Sequence, residues 1–493
     1  MDRKKLTYAA ALLFLVGCAP QTQGNPQEVA EIVGSWTGGE VLPYPRPDSQ
    51  VVYFSVRPDS SLSLSMIYEV GPRSRVWTYD IDVTYGEGLV SWAYHEGRLN
   101  PGRDTLRVSK NYRGDRSDWM WVRDRGADPL LNRLGAVGPA PFSLQVPAET
   151  NDGWESAEPE AVGMDQEVLS DFMARIAEGE FGDLHSFLLA RDGHLVVEEY
   201  FAENGSKHGP FIDSVFRSRV HHLASVSKTI TSVLVGVAID RGFINSVQDP
   251  TSRYLPSYRS LFDDQKEAIT LEHLLTMSSG LEWSQSGRAP DHLALYSCPD
   301  VTRYVLEKPL SAEPGRRFAY SNGSAAAVGA ILESATGMKV GAFAETALFR
   351  PLGIHEYLWS TYPDGTVETD GGLALRPRDL AKIGQLFLNR GEWGDAQLIS
   401  EGWIDQSTRG RFRFGSISGA ALQYGYFWIQ TGIPQGDRLV RAFFHGGDGS
   451  QLLAVIPDLN MVVVFTGGDY GTDVNRFFYA ILREYVVAAV KPD

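Results

Sequence analysis

Short stretches of alternating apolar and polar residues dominate the first 125 residues of the chain. They are residues 51–57, 61–70, 76–84, 90–95, 105–110 and 119–123. Alternation with a period of two places one side of a strand in a core and the other in solvent, and turn sequences rich in Gly, Pro, Asp and Asn separate the stretches. Six or more short strands at this spacing predict an all-β barrel or sandwich. No catalytic pattern occurs in this region.

The pattern changes in the next part of the chain. Residues 126–160 are rich in Pro, Gly, Ala and Glu without sustained periodicity, which is typical of a linker. Two apolar stretches follow, at residues 184–191 and 195–201. The Asp192-Gly193 pair between them is a strong signal for a tight turn. We therefore expect a new domain that begins near a β-hairpin.

The most apolar helix predicted in the chain carries a serine and a lysine at its start. Residues 229–239 are apolar nearly all round, as in a helix buried at the centre of a domain. Ser225 and Lys228 precede them with Ser-x-x-Lys spacing, and residues three apart on a helix lie on the same side. Burial removes water from the charged form of Lys228, so a neutral amine could take the hydroxyl proton of Ser225. The pattern also occurs by chance, and a serine at a helix start is commonly only a cap.

A Tyr-x-Asn pattern, Tyr320 and Asn322, lies in a predicted loop before a helix of small residues at 324–334. A phenol beside a lysine can exchange a proton with Ser225 or with a leaving group. Asn322 can hydrogen-bond both Lys228 and a substrate carbonyl. Taken alone the pattern is common, and its other interpretation is a loop tyrosine packed on the core.

A glycine-rich segment lies among the last predicted strands. The elements are strands at 424–430, 439–444, 451–456 and 461–466 and a closing helix at 473–490. His445, Gly447 and Asp448 fall between the second and the third strand. Glycines there let a substrate lie against the strand backbone, and a backbone N–H near Asp448 could stabilise an oxyanion together with that of Ser225. The alternative is a glycine-rich hairpin without a function.

Whole-chain properties restrict the function further. The 493 residues carry a formal net charge of -16, which argues against a nucleic-acid partner and against adhesion to anionic membrane surfaces. A small-molecule or peptide substrate fits better. Cys298 has no histidine or cysteine at metal-ligand spacing beside it, and neither a metal nor another cofactor is expected. The oligomeric state stays open.

The first residues predict a location. Residues 3–5 are basic, residues 6–16 form an apolar stretch too short to span a bilayer, and Leu15-Val16-Gly17-Cys18 ends it. This arrangement resembles a bacterial lipobox, which implies a lipid on Cys18. The implied location is the bacterial cell envelope, with the protein tethered to a membrane and facing the periplasm. The alternative is an ordinary secretory signal in which Cys18 is incidental.

Together, the three motifs resemble those of the serine β-lactamase and penicillin-binding-protein superfamily. The match is closest to its class C β-lactamase-like serine hydrolases, which include family VIII esterases and 6-aminohexanoate-dimer hydrolases. It extends from residue 160 to the C-terminus and includes HLLTMSSGLEW, TGMKVGAFAETALFRPLGI and GGLALRPRDLAKIGQLFLNRGEW. The resemblance implies an α+β fold (an α/β sandwich), with a five-stranded antiparallel sheet flanked by helices and a helical region as the other wall of the cleft.

The predicted domain organisation combines these observations. It comprises a lipoprotein signal peptide (1–17), a tether (18–27), an all-β barrel or sandwich (28–125), a linker (126–160) and a β-lactamase-like hydrolase domain (161–493). The role of the all-β domain does not follow from its sequence.

The resemblance also implies roles for individual residues. Ser225 would be the acylated nucleophile, Lys228 its proton-transfer partner and Tyr320 the second acid–base group. A second set would bind the substrate: Asn322, His445, Gly447 and Asp448. His445 stands where β-lactamases carry a lysine that recognises a substrate carboxylate. Because histidine is only partly charged near neutral pH, hydrolysis of an ester or amide is favoured over hydrolysis of β-lactams.

The predicted function is that of a serine hydrolase which cleaves an ester, amide or peptide bond through an acyl-enzyme on Ser225. Two alternatives stay open. One is a non-catalytic or slowly acylating receptor that binds penicillin or peptidoglycan, and the other is a true class C-type β-lactamase. The chain contains no Gly-x-Ser-x-Gly, which argues against the nucleophile elbow of α/β-hydrolases.

Overall fold

The structure is a computed structural model of the chain. It describes residues 144–177, 180–201, 220–285, 290–470 and 475–491, with the backbone alone at 475 and 476, and the backbone of strands between residues 34 and 123. The chain divides into two compact units, Met1–Val137 and Gly138–Asp493. Cys18, the predicted signal peptide and the predicted tether lie outside the described residues, so the lipid anchor stays a prediction.

The strands of the first unit form a closed barrel. They are β1 (Gly34–Thr37), β2 (Ser49–Val56), β3 (Leu62–Glu69), β4 (Ile81–Gly86), β5 (Leu89–Trp92), β6 (His95–Leu99), β7 (Thr105–Tyr112) and β8 (Asp115–Arg123). Each strand pairs antiparallel with the next, and β1 closes the ring on β8 where Trp36 pairs with Arg123. Closure leaves no open sheet edge. Of the two predicted all-β architectures, the chain forms the barrel.

The second unit contains a nine-stranded sheet. Its strands and those of two small sheets are β9 (Glu155–Ser156), β10 (Leu184–Arg191), β11 (His194–Tyr200), β12 (His221–His222), β13 (Tyr357–Trp359), β14 (Leu373–Leu375), β15 (Glu392–Trp393), β16 (Ala396–Gln397), β17 (Phe412–Ile417), β18 (Ala420–Tyr424), β19 (Ile429–Gln435), β20 (Arg438–Gly447), β21 (Gln451–Ile456) and β22 (Met461–Gly467). The order in the large sheet is β17-β18-β19-β20-β21-β22-β10-β11-β9. Neighbouring strands are antiparallel except β11 and β9, which are parallel.

The α+β fold is confirmed, but the sheet is wider than the five strands that the resemblance implied. Strands β20, β21, β22, β10 and β11 form its centre, and β19, β18 and β17 extend it beyond β20. Without β19, strand β20 would be an edge strand with unpaired N–H and C=O groups. Strand β19 pairs with it along seven residues, from Ile429 opposite Phe444 to Gln435 opposite Arg438. The extension places the β17–β18 hairpin on the side of β20 that is far from β10.

Helices pack against this sheet and build the region beside it. They are α1 (Gln166–Ala177), α2 (Ser227–Asp240), α3 (Leu271–Leu275), α4 (Asp291–Leu295), α5 (Val301–Glu307), α6 (Asn322–Thr336), α7 (Val340–Ala344), α8 (Pro377–Leu388), α9 (Glu401–Thr408) and α10 (Asn475–Ile481). Helix α2 is buried from Ser227 to Ala238, as its apolar sequence predicts. Helix α8 lies so close to the sheet that a Cβ on Gly384 would stand 2.4 Å from a methyl carbon of Val462. None of the helices in the described ranges is both long and apolar enough to cross a membrane.

The strand predicted at residues 424–430 is wrong. Strand β18 ends at Tyr424, β19 begins at Ile429, and the residues between them form a connection. Phe427 has a φ of 59° there, and its N–H donates to the carbonyl of Leu275 at 3.1 Å. The apolar run arises because Phe427 and Trp428 are buried in tertiary contacts, and a run of buried aromatic residues imitates the sequence of a strand.

Candidate active site

The turn that carries Ser225 has an unusual backbone. Residues Ala224–Val226 form a 3-10 turn that leads directly into α2. Ala224 has a φ of 45°, in the left-handed region, which costs a residue with a side chain on the order of 1–2 kcal/mol. Such a conformation persists only where surrounding contacts impose it, and it is common where a functional side chain is presented. Ser225 is half-buried and Lys228 is fully buried.

Gly447 is one of the contacts that hold this turn. A Cβ at Gly447 would lie 2.5 Å from the carbonyl oxygen of Leu223 and 3.1 Å from the Cβ of Ala224. Since 2.5 Å is well below van der Waals contact, only glycine lets β20 approach the turn this closely. This approach brings the end of β20 beside Ser225. This close approach to the Ser225 turn was not predicted from the sequence, and the predicted role of Gly447 in binding the substrate stays a prediction.

Ser225, Lys228 and Tyr320 meet in one hydrogen-bonded group. The Nζ atom of Lys228 lies 3.1 Å from the Oγ atom of Ser225, and the hydroxyl of Tyr320 donates to the same Oγ atom at 2.9 Å. The Lys228 Nζ atom also stands 5.0 Å from the centre of the Tyr320 ring. The serine oxygen therefore has an amine on one side and a phenol on the other, both within the distance that proton transfer requires.

Asn322 lies at the start of α6, where Ser321 caps the helix. The Oγ atom of Ser321 accepts the N–H of Ser324 at 3.1 Å, which sets the first turn of α6 and hence the position of Asn322. The expected hydrogen bond between Asn322 and Lys228 is absent, because the buried Oδ1 atom of Asn322 has no partner among the described residues. The Lys228 amine donates instead to the backbone carbonyl of Asp370 at 2.6 Å.

Asp370 is a site residue that sequence reasoning missed. Its carboxyl is buried and accepts a hydrogen bond from the Tyr362 hydroxyl. Burial raises the pKa of Asp370, against the opposing charge of Lys228 and the hydrogen bond from Tyr362. The contact with Lys228 uses a backbone carbonyl, which every residue type has. No pattern of side chains could therefore have indicated it.

His445 is buried near the end of β20, and one hydrogen bond defines its tautomer. Its Nδ1 atom lies 2.9 Å from the carbonyl oxygen of Phe427. Because a carbonyl only accepts, this geometry assigns the proton to Nδ1 and leaves Nε2 as an acceptor. Burial, together with the charge of Lys228, lowers the pKa of His445 to about 3. His445 is thus neutral at every pH near neutrality.

Asp448 follows β20 on an exposed loop. Its carboxylate accepts the N–H of Gly449 at 3.1 Å. Gln451 is fully buried beside this loop. Its side-chain amide donates to the carbonyls of Gly449 and Gly467 at 2.6 and 2.8 Å and so anchors the loop to β22. Gln451 was not predicted as part of the site. Its contacts give the backbone around Asp448 a defined conformation next to the Ser225 turn.

The neutral state of His445 predicts how the stability of the protein depends on pH. Below about pH 6.5 the unfolded chain protonates this histidine, whereas the folded protein keeps it neutral down to about pH 3. The unfolded state binds the extra proton, so the free energy of unfolding falls as the pH falls through this range, by up to about 1.4 kcal/mol per pH unit. A His445→Asn variant keeps a donor for Phe427 but does not titrate. In urea titrations from pH 7.5 to pH 4.5, we expect the stability advantage of the wild type over this variant to shrink steadily, and parallel curves would contradict the assignment.

Comparisons with known proteins agree with the observed fold, and they cover the part of the chain that contains Ser225, Tyr320 and His445. A family model described as "Beta-lactamase" matches residues 185–477, which is more than half of the chain. A putative 6-aminohexanoate-dimer hydrolase from Bacillus anthracis has a similar solved structure, with a TM-score of 0.53 and 20% sequence identity over 71% of this chain and 91% of that chain. At this identity the similarity concerns the fold alone.

Two curated relatives have higher sequence identity over shorter stretches. The D-alanyl-D-alanine-carboxypeptidase/endopeptidase AmpH of Escherichia coli is 30% identical over 40% of this chain and 52% of its own length. The esterase EstB of Burkholderia gladioli is 31% identical over 29% of this chain and 38% of its own length. The chain thus spans about half, or less, of the length of these relatives. A peptidase at 30% and an esterase at 31% match at nearly the same identity, so identity does not select between their reactions.

Proposed function

Because the chain belongs to the β-lactamase family, we propose that it is a serine hydrolase which cleaves an ester or amide bond through an acyl-enzyme on Ser225. One observation carries the proposal: the Ser225 oxygen lies within hydrogen-bond distance of both the Lys228 amine and the Tyr320 hydroxyl. A serine in this setting can lose its proton to one neighbour as it attacks a carbonyl carbon.

The acylation step uses these three residues. The Ser225 oxygen attacks the carbonyl carbon, and its proton passes to Lys228, directly or through the hydroxyl of Tyr320. The negative charge on the carbonyl oxygen is stabilised by backbone N–H groups of Ser225 and of the segment at Asp448. The close approach of Gly447 to the Ser225 turn supports this pair of donors, because it brings the two backbones to one side of the cleft.

Collapse of the tetrahedral intermediate completes the first half of the reaction. The bond from carbon to the leaving oxygen or nitrogen breaks, and Tyr320 supplies a proton to that atom while Lys228 returns one to Tyr320. A water molecule then attacks the acyl-enzyme, with the same groups taking its proton and returning one to Ser225. Asp370 holds the Lys228 amine in place through its carbonyl. Asn322 would bind a substrate carbonyl through its side-chain amide N–H.

His445 supports ester or amide substrates over β-lactams. A neutral imidazole with its Nδ1 proton engaged by Phe427 offers no positive charge to a substrate carboxylate. The β-lactamases to which the motifs are similar have a lysine at this place. We therefore propose that the substrate carries no carboxylate there, and that hydrolysis of penicillins is slow or absent.

The experiment that tests the proposed function is mass spectrometry of the protein after exposure to p-nitrophenyl butyrate and, separately, to a penicillin. We expect a transient butyryl group on Ser225, release of many equivalents of nitrophenol, and little hydrolysis of the penicillin. A stable penicilloyl adduct with no turnover of the ester would reject the proposal in favour of a slowly acylating receptor. Rapid hydrolysis of the penicillin would instead identify a β-lactamase.

The location of this activity stays a prediction. We propose, from the lipobox-like sequence that ends at Cys18, that the enzyme is tethered to a membrane of the bacterial envelope and faces the periplasm. The substrate would then be a molecule that reaches that compartment.

A further inference from the structure

Five rings form a continuous cluster beside the proposed nucleophile, which we call the ring cluster. Its members are Phe318, Tyr320, Phe414, Tyr424 and His445. Tyr424 is its centre, with ring-centre distances of 5.0 Å to Phe318, 5.8 Å to Phe414, 6.3 Å to Tyr320 and 6.1 Å to His445. Phe318 and Phe414 also stack on each other at 5.2 Å. These distances and the edge-to-face angles are typical of stabilising aromatic contacts.

Phe414 is the exposed member of the ring cluster, and an irregularity in the sheet places it there. Strands β17 and β18 pair Arg413 with Gln423 and then Gly415 with Leu422, so Phe414 is the extra residue of a β-bulge. Bulges redirect a side chain and are frequent next to active sites. Although 37% exposed, Phe414 packs against Phe318 and Tyr424 rather than extending alone into solvent.

The hairpin that carries Phe414 has a well-defined turn. Ser418 and Gly419 both have positive φ, 47° and 85°, between the paired residues Ile417 and Ala420. Two such residues form the mirror-image turn that matches the twist of antiparallel strands. This turn therefore sets the register of β17 against β18, and with it the position of the bulge at Phe414.

The ring cluster contacts one side of the proposed reaction centre. It reaches Tyr320, the group that protonates the leaving atom, and His445, which is neutral. Tyr424 also stays neutral, because burial and the neighbouring Tyr320 raise its pKa well above the usual value. Its buried hydroxyl has no hydrogen-bond partner among the described residues. Phe318, Phe414, Tyr424 and His445 thus contribute no charge to this side of the site.

We infer that the ring cluster binds the leaving portion of the substrate, and that this portion is an apolar alcohol or amine. The inference rests on the proposed function, because it takes the leaving side from the role of Tyr320. Phe414 determines the specificity of this subsite without taking part in the chemistry. Apolar surface that leaves water on contact with the rings supplies the binding energy.

Two ester series test the inference, with acid release followed in a pH-stat. The first varies the alcohol in methyl, butyl and hexyl butyrate, whose leaving groups are of similar basicity, and adds the butyryl ester of glycolate, which carries a carboxylate. The second varies the acyl chain in methyl esters. In the wild type we expect kcat/KM to rise by about two- to fourfold for each methylene of the alcohol that contacts the rings. The glycolate ester should be the poorest substrate.

Phe414→Ala should remove most of the rise of kcat/KM along the alcohol series, whereas the dependence of kcat/KM on the length of the acyl chain should keep the slope of the wild type. Phe414→Leu should restore part of the rise. Leu439→Ala is the matched control, because Leu439 is 70% exposed at the opposite end of β20. Three results would overturn the inference while Ser225-dependent turnover persists. The rise of kcat/KM along the alcohol series could be the same in Phe414→Ala as in the wild type, or Phe414→Ala could lose kcat/KM equally in both series. The wild type could also prefer the glycolate ester. If a Ser225→Ala variant hydrolysed these esters, the proposed function would fail and the inference with it.

Discussion

Replacing Ser225 with alanine should lower kcat for p-nitrophenyl butyrate by on the order of 10⁶-fold, to the background that substrate binding and oxyanion stabilisation alone provide. Replacing Lys228 with methionine should cost nearly as much, because the two residues act as one unit and their effects do not add. The physical reason is the position of the amine: Lys228 Nζ donates to Ser225 Oγ at 3.1 Å, and the proposed acylation needs this amine nearby to take the serine proton. Steady-state kinetics of both single variants and of the double variant measure this.

Helix α2 offers a matched control for these variants. Ser232 is also buried on α2, and its hydroxyl has no hydrogen-bond partner among the described residues. Ser232→Ala removes a hydroxyl from the same helix and should leave kcat/KM unchanged. If Ser225→Ala retained more than a few per cent of the activity, or if Ser232→Ala lost as much, Ser225 would not be the nucleophile.

Replacing Arg378 with alanine should destabilise the second unit by about 3–5 kcal/mol, the usual cost of breaking a buried ion pair from one side. Arg378 is 2% exposed. It donates to both carboxylate oxygens of Asp152 at 2.9 and 3.0 Å and to Glu198 at 2.6 Å. Its removal leaves the fully buried carboxylate of Glu198 without its cation. It also releases the segment around Asp152 from α8. Urea unfolding, followed by circular dichroism, measures the loss.

A surface arginine with two carboxylate partners is the control. Arg390 pairs with Glu401 and Asp405, and its side chain is 44% exposed. Water already solvates these charges, so Arg390→Ala should cost less than about 1 kcal/mol. Glu198→Gln in the Arg378→Ala background should recover part of the stability, because it removes the uncompensated charge. Equal costs for the two arginine variants would show that burial does not govern this network.

The sequence predicted best those elements whose signal is local. The hairpin around Asp192-Gly193 forms as predicted, with positive φ at both residues, because only a few residue types adopt that turn. The apolar helix after Lys228 forms because periodicity reports burial directly. The prediction failed where an alternating stretch could come either from one strand or from two strands joined by a tight turn. The stretch at 90–95, read as one strand, is the end of β5 and the start of β6, which pair at Trp92 and His95.

Residue chemistry and motif spacing were sufficient to select Ser225, Lys228 and Tyr320 as candidates, since each type has a reactivity that few others share. Only the tertiary structure decided that Tyr320, 95 positions further along the chain, donates to the Ser225 oxygen. The same holds for the carbonyl of Asp370, which binds Lys228 in place of Asn322. Backbone groups are identical at every position and leave no trace in a sequence. Likewise, the neutral state of His445 and the exposure of Phe414 on a bulge depend on burial and strand register, which contacts between distant segments determine.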